Sequence, residues 1–167
     1  MIFLTVGTQF PFDRLVRAVD EAFDNGVIGE KVFAQIGQTS YKPHNFEFVA
    51  SLGKKLFDER LKQASSIISH AGMGTITMAL DNTKPLLVMP RRKKYGEAVN
   101  DHQVAIAKRL SELGHLLVAY ELEDLPEKIK GLEHFVPKER CTQVEAVVTR
   151  IVQFLGQINK RGRYAHQ

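Results

Sequence analysis

The chain has 167 residues, enough for one domain with its own core and too few for a second of comparable size. With 44% hydrophobic and 25% charged residues it has an ordinary globular balance, which excludes a disordered chain except over its last few residues. The net charge of +4 is local, set by Arg91-Arg92-Lys93-Lys94 and Lys160-Arg161-Gly162-Arg163.

The opening residues 1–6 are apolar but too short for a secretory leader and lack a basic lead-in. No stretch nears the roughly 18 apolar residues that span a bilayer. The expectation is a cytoplasmic domain that meets a membrane only peripherally or through a partner. The single cysteine, Cys141, permits no internal disulfide and no cysteine-rich metal site, and fits a reducing compartment.

Taken in order, residues 2–6 (IFLTV) read as a buried strand stopped by Gly7. Phe12, Leu15, Val16, Val19 and Phe23 recur at helical spacing over 12–24, and Asn25-Gly26 ends that helix. Residues 31–36 read as a strand, 46–49 as a short extended piece and 56–63 as a polar helix. Residues 66–69 are a strand leading into the turn 70–75, with a helix from there to about 82. Pro85 opens and Pro90 closes the strand 86–89. A basic loop covers 91–99, and Asn100 starts a helix that stops near Leu113-Gly114. A strand at 116–119, a short helix at 124–129 and a long helix at 141–159 complete the order.

Strands that are near-continuous apolar runs, alternating with helices, predict a parallel sheet covered on both faces, an α/β fold of Rossmann-like kind. One domain, 1–160, is expected, followed by a basic tail, 161–167. In such sheets ligands sit beyond the carboxyl ends of the strands. The loops after the strands therefore carry the candidate residues.

The strongest local feature is the turn His70-Ala71-Gly72-Met73-Gly74-Thr75. Gly72 and Gly74 let an anion approach the backbone N–H groups at a helix start, and Thr75 adds a hydroxyl. A diphosphate is the natural guest; a plain tight turn is the alternative. His70 is read either as a donor to that phosphate or as a satisfied histidine at a strand end. The next loop places Arg91 and Arg92, then Glu97, Asn100, Asp101 and Gln103, beside the first. Its cations suit the charge of a leaving group. Asn100 or Asp101 is expected to cap the helix, leaving the other and Gln103 for sugar hydroxyls. Gly7 and Thr8, after the first strand, are a third candidate, with a plain connecting loop as the alternative. No group of His, Cys, Asp or Glu has metal-ligand spacing, and no nucleophile elbow appears. No aromatic RNA-binding motif or helix-turn-helix accompanies the basic runs, so nucleic acid is not an expected partner.

The stretch ISHAGMGTITMAL…KPLLVMPRR…GEAVNDHQVAIAKRL, with the opening MIFLTVGTQFPFDRLV, resembles the C-terminal domain of glycosyltransferase family 28 from residue 1 to about residue 120. Within that family the likeness is to the catalytic subunits of two-chain UDP-sugar transferases, both the dolichol-linked kind and those of bacterial exopolysaccharide and capsule assembly. The resemblance implies the C-terminal half of a GT-B enzyme, with a separate membrane-anchored subunit supplying the acceptor half. It implies inverting transfer from a UDP-sugar to a lipid-diphosphate-linked saccharide, with no cofactor and no required metal. By position, Gly72, Met73, Gly74 and Thr75 would face the diphosphate, with His70 near it. Asn100, Asp101 and Gln103 would meet the sugar, and Val49 would lie near the uracil. The chain departs from several family members at Met78, where they carry a Glu placed for the ribose. That departure leaves room for a non-catalytic, nucleotide-sugar-binding subunit.

Overall fold

The computed structural model describes residues 1–139 and 149–154. Six strands run parallel: β1 Ile2–Thr5, β2 Val32–Gln35, β3 Glu47–Val49, β4 Ser66–His70, β5 Leu86–Met89 and β6 Leu117–Val118. Their order across the sheet is β3-β2-β1-β4-β5-β6. Every predicted strand is present, within two residues of its expected ends. β1, β2, β4 and β5 are buried nearly throughout, which is why they read as unbroken apolar runs rather than alternating ones.

Five helices connect them: α1 Asp13–Asp24, α2 Lys54–Gln63, α3 Met73–Asp81, α4 His102–Glu112 and α5 Leu125–Leu132. Side chains alternate along a strand, so each strand feeds two cores. On one face Leu4, Ala34, Ile68 and Leu87 pack with Leu15, Val16 and Val19 of α1 and Ile129 of α5. On the other, Phe3, Phe33, Ile67 and Val88 pack with Leu61 of α2, Ile76 and Ala79 of α3 and Ala107 of α4. The predicted long helix 141–159 falls largely outside the described residues, as do Cys141 and the tail 161–167; residues 149–154 are helical.

Two elements differ from expectation. The basic loop contains a short 3-10 turn, Lys93–Tyr95, closed by Gly96 in the left-handed region (φ +70). A second 3-10 turn, Leu122–Asp124, leads into α5. Both are too short for periodicity to register.

Asp20 ties the long β2–β3 connection to α1. It is 2% exposed and accepts hydrogen bonds from Tyr41 Oη (2.7 Å), His44 N (2.9 Å) and Asn45 N (3.0 Å). Burial pushes its carboxyl up, but the hydrogen bonds outweigh this and hold it below the ordinary value. A depressed folded value means the contribution is present above the unfolded value and is lost as pH falls through the folded one. Asp20→Asn is expected to cost about 1–3 kcal/mol at pH 7 in urea denaturation. The gap to wild type should close below about pH 4; a gap constant with pH would show that the charge is not what holds the loop.

Candidate functional site

β1 has β2 on one side and β4 on the other, so the chain's path reverses between β1 and β4. Connections leaving those two strands go to opposite faces and open a crevice at the carboxyl edge of the sheet. Gly7 follows β1 there, and His70 ends β4 there. The His70 ring fills a slot between two glycines. A side chain on Gly7 would meet His70 Cε1 at 3.0 Å, and one on Gly72 would meet His70 Nε2 at 2.2 Å. Gly7 also has φ +72, so glycine is required there on two counts.

α3 begins immediately beyond. Gly72 occupies the cap position without a side-chain hydrogen bond, and the N–H groups of Met73, Gly74 and Thr75 have no acceptor among the described residues. They carry the positive end of the helix dipole. A cavity of about 440 Å³ opens over them, walled by Phe10, His70, Gly72, Gly74, Arg91 and Asn100, among others. A side chain on Gly74 would meet nothing within 4 Å, so this position faces the open volume. Such a volume fits a small-molecule site. A larger hollow of about 720 Å³ lies at the opposite end of the strands, around Ile2, Ile28, Ser65 and Ile129. It has neither the glycine turn nor an unpaired helix start, so the chemistry points to the smaller one.

Arg91 follows β5 and is 3% exposed. Its Nη2 donates to the carbonyls of Val6 (2.6 Å) and Phe10 (2.5 Å), locking the β1–α1 loop against the β5–α4 loop. Its Nε is buried without a partner, and it makes no ion pair among the described residues. Burial holds the Arg91 guanidinium below its ordinary value and the nearby Glu97 carboxylate offsets this only in part, so an anion in the cavity would further relieve the cost of burying that charge. Burial, with Arg91 beside it, lowers His70 to about 4, partly offset by a hydrogen bond with the Thr5 carbonyl. His70 is therefore neutral at pH 7.

The structure draws some predicted residues together and sets others aside. His70, Gly72, Met73, Gly74, Arg91, Glu97, Asn100 and Gln103 share the cavity wall. Thr75 does not; it is 8% exposed and turned into the core side of α3, leaving its N–H as its contribution. Thr8 is exposed and Val49 lies two strands from β1, both off this wall. Arg92 is half-buried and paired with Glu121 at 3.2 Å. The expected cluster of free cations is thus largely committed to structure. Lys93, exposed, makes no ion pair among the described residues, whereas Lys94 shares Glu121.

The helix start also resolves. Asn100 Oδ1 accepts from His102 N at 3.2 Å, so Asn100 supplies the turn that begins α4. Asp101 instead accepts from Lys93 N at 2.8 Å and holds the 3-10 turn. Gln103 is buried, and its Oε1 accepts from Arg91 N at 3.1 Å, which leaves only its NH₂ group for a ligand. Glu97 accepts two bonds from Arg14 and one from Arg92 N, so its carboxylate is spent on the loop. Phe10, Val99 and His102 wall the cavity without having been predicted. Phe10 carried a signal, an apolar side chain in a loop directly after a glycine-stopped strand.

An open parallel sheet in the order 3-2-1-4-5-6, with a glycine-gated helix start at its reversal point, defines a Rossmann-like fold. The chain belongs to glycosyltransferase family 28: residues 1–153 match the C-terminal domain of that family. It is similar to the UDP-N-acetylglucosamine transferase subunit ALG13 of Homo sapiens, 33% identical over 124 residues, covering 69% of this chain and 10% of that protein. The Mus musculus counterpart is 36% identical, over 68% of this chain and 10% of the relative. The chain therefore spans about a tenth of the length of these two relatives. Among solved structures, it resembles an NMR structure of ALG13 with a TM-score of 0.57 at 19% identity, covering 90% of this chain and 93% of the other. MurG of Acinetobacter baumannii aligns with a TM-score of 0.52 at 19% identity, over 81% of this chain and 45% of the other. These likenesses establish the fold as that of GT-B C-terminal domains. No helix among the described residues is long and apolar enough to cross a membrane.

Proposed function

We propose that this chain binds a UDP-sugar and serves as the donor-binding, catalytic subunit of a two-chain inverting glycosyltransferase. The acceptor in this reading is a polyprenyl-diphosphate-linked saccharide, held by a membrane-anchored partner subunit that keeps this chain at the cytoplasmic face. The observation that carries the reading is the conjunction of the unpaired N–H groups that open α3 beside the cavity with the buried Arg91 on its wall, whose Nε has no partner. Together they suit two adjacent phosphates.

In an inverting displacement the sugar–oxygen bond to the nucleoside diphosphate breaks as an acceptor hydroxyl attacks from the opposite face. The leaving group departs with negative charge, and donors fixed in advance lower that barrier. Met73, Gly74 and Thr75 supply N–H donors, while Arg91 supplies charge from behind. In this reading the amide NH₂ groups of Asn100 and Gln103, whose oxygens are engaged within the chain, donate to sugar hydroxyls. The base that takes the acceptor proton is assigned to the partner's half of the cleft.

The test is calorimetry with UDP, ADP and dTDP on the isolated chain, followed by transfer assays with and without the acceptor subunit. UDP is expected to bind best, and transfer to require both chains. Equal affinity for all three nucleotides would remove the uridine assignment. A second reading, a nucleotide-sugar-binding scaffold, is favoured by Met78, which is half-buried against the α3-side core where family members place a ribose-holding Glu. Ala at His70 and Asn100 separates the two, because a scaffold still supports full activity in the reconstituted pair.

A further inference from the structure

The hydrogen on His70 has a fixed address. Ser69 Oγ donates its one hydrogen to the Thr5 carbonyl at 2.7 Å, so at its 3.2 Å contact with His70 Nδ1 it can only accept. Nδ1 therefore carries the hydrogen, and Nε2 holds a lone pair. Nε2 is the ring atom against Gly72, at the head of α3. An anion seated on the α3 N–H groups thus meets a lone pair on this ring, not a donor. A neutral His70 in this tautomer repels the ligand that the rest of the cavity attracts.

Resting on the nucleotide-sugar reading above, we propose that diphosphate binding draws a proton from solvent onto His70 Nε2, so that the donor substrate creates the imidazolium that then hydrogen-bonds to it. The balance is simple: one proton leaves the buffer, Nε2 gains it, and no covalent bond between heavy atoms changes. The site then opposes the two negative charges of the diphosphate with two positive ones, Arg91 and His70.

The groups facing His70 are few. Arg91, from the loop after β5, is the charge that acts on it. Glu97 lies in the same wall but is held by Arg14. Residues 6–10 and the first turn of α3 carry no charged side chain. His102 shares the cavity wall and is engaged with Asn100. In the free chain, burial and Arg91 hold the ring near 4. A diphosphate offsets Arg91 and favours the charged ring. The value in the complex is then above the free one. Binding strengthens as pH falls through the complex's value and levels off below about 4.

The decisive measurement is the His70 Cε1–H resonance of the whole chain, titrated free and saturated with UDP. Its midpoint is expected to climb from about 4 to about 6 or higher. Ring nitrogen shifts should report the Nδ1–H tautomer in the free chain. UDP affinity measured against the His70→Gln variant, which cancels the nucleotide's own titration, should fall at least about tenfold from pH 5 to pH 8. Calorimetry in buffers of different ionisation heat should show proton uptake by wild type in excess of His70→Gln. UDP binding with an unmoved His70 midpoint, or a free ring protonated at Nε2, overturns this inference and leaves nucleotide binding standing. Failure of UDP to bind at all overturns both.

Discussion

Gly74→Asp is expected to weaken UDP binding by at least about 100-fold while leaving the fold as stable as before. The two halves of that result come from the same geometry. A side chain at Gly74 meets nothing within 4 Å, so the chain accommodates it without repacking. A carboxylate in the first turn of α3 sits at the positive end of the helix and stabilises it by about 0.3–1 kcal/mol. Against a diphosphate on the same N–H groups, that carboxylate is a like charge a few ångströms away. In a partly shielded site this repulsion is of the order of 4 kcal/mol at 4 Å, and screening still leaves a large loss. Gly74→Ala is the control and should bind within a few-fold of wild type. Gly72→Ala behaves differently, because its methyl would stand 2.2 Å from His70 Nε2 and must displace the ring. Calorimetry with UDP and a thermal melt on each variant decide the matter. Wild-type affinity in Gly74→Asp would falsify the phosphate assignment.

The second large effect is on stability. Glu97→Ala should cost about 3 kcal/mol, or about 10 °C in Tm for a domain of this size. The Arg14 and Glu97 side chains are 12% and 8% exposed and pair at 2.8 Å through Nε and 2.9 Å through Nη2. Arg14 also lies over the Tyr95 ring at 4.6 Å and donates to the Pro90 carbonyl at 3.2 Å. Removing Glu97 strands this guanidinium and leaves Arg92 N without its acceptor. Two buried donors then go unpaired, one of them charged. The double variant Arg14→Met, Glu97→Leu should recover most of the loss, since apolar side chains of similar volume replace a buried pair at little cost. A loss below about 1 kcal/mol in Glu97→Ala would place the pair with screened surface bridges.

These two sites also show where sequence reading succeeds and where it stops. The strands were legible because burial on both faces makes them short apolar runs. The turn at His70 was legible because Gly72 and Gly74 stand between a strand and a helix. The Arg14–Glu97 pair was not, because its members are 83 residues apart and α1 periodicity makes Arg14 an outward position. Nor was the burial of Arg91. Four consecutive cations read as charges lining a ligand site, yet the first is buried among the loops, two residues past the end of β5 at Met89. Ser69 and Thr5 read only as strand residues. Their role appears when β1 and β4 pair with Thr5 level with Ser69. Pairings between distant segments are properties of the assembled sheet, and no local window contains them.

The strand at the middle of the sheet is the first one made. Thr5 is linked to Gln35 and Ser69, 30 and 64 residues further along the chain. Closing such long loops before any contact is gained slows folding. An emerging polypeptide must therefore wait for its fourth strand before the histidine slot exists, and for its fifth before Arg91 seals the wall. On the nucleotide reading proposed above, the ligand has nothing to hold during synthesis until the segment through Arg91 has left the ribosome, and only from then on can its occupancy favour the finished state.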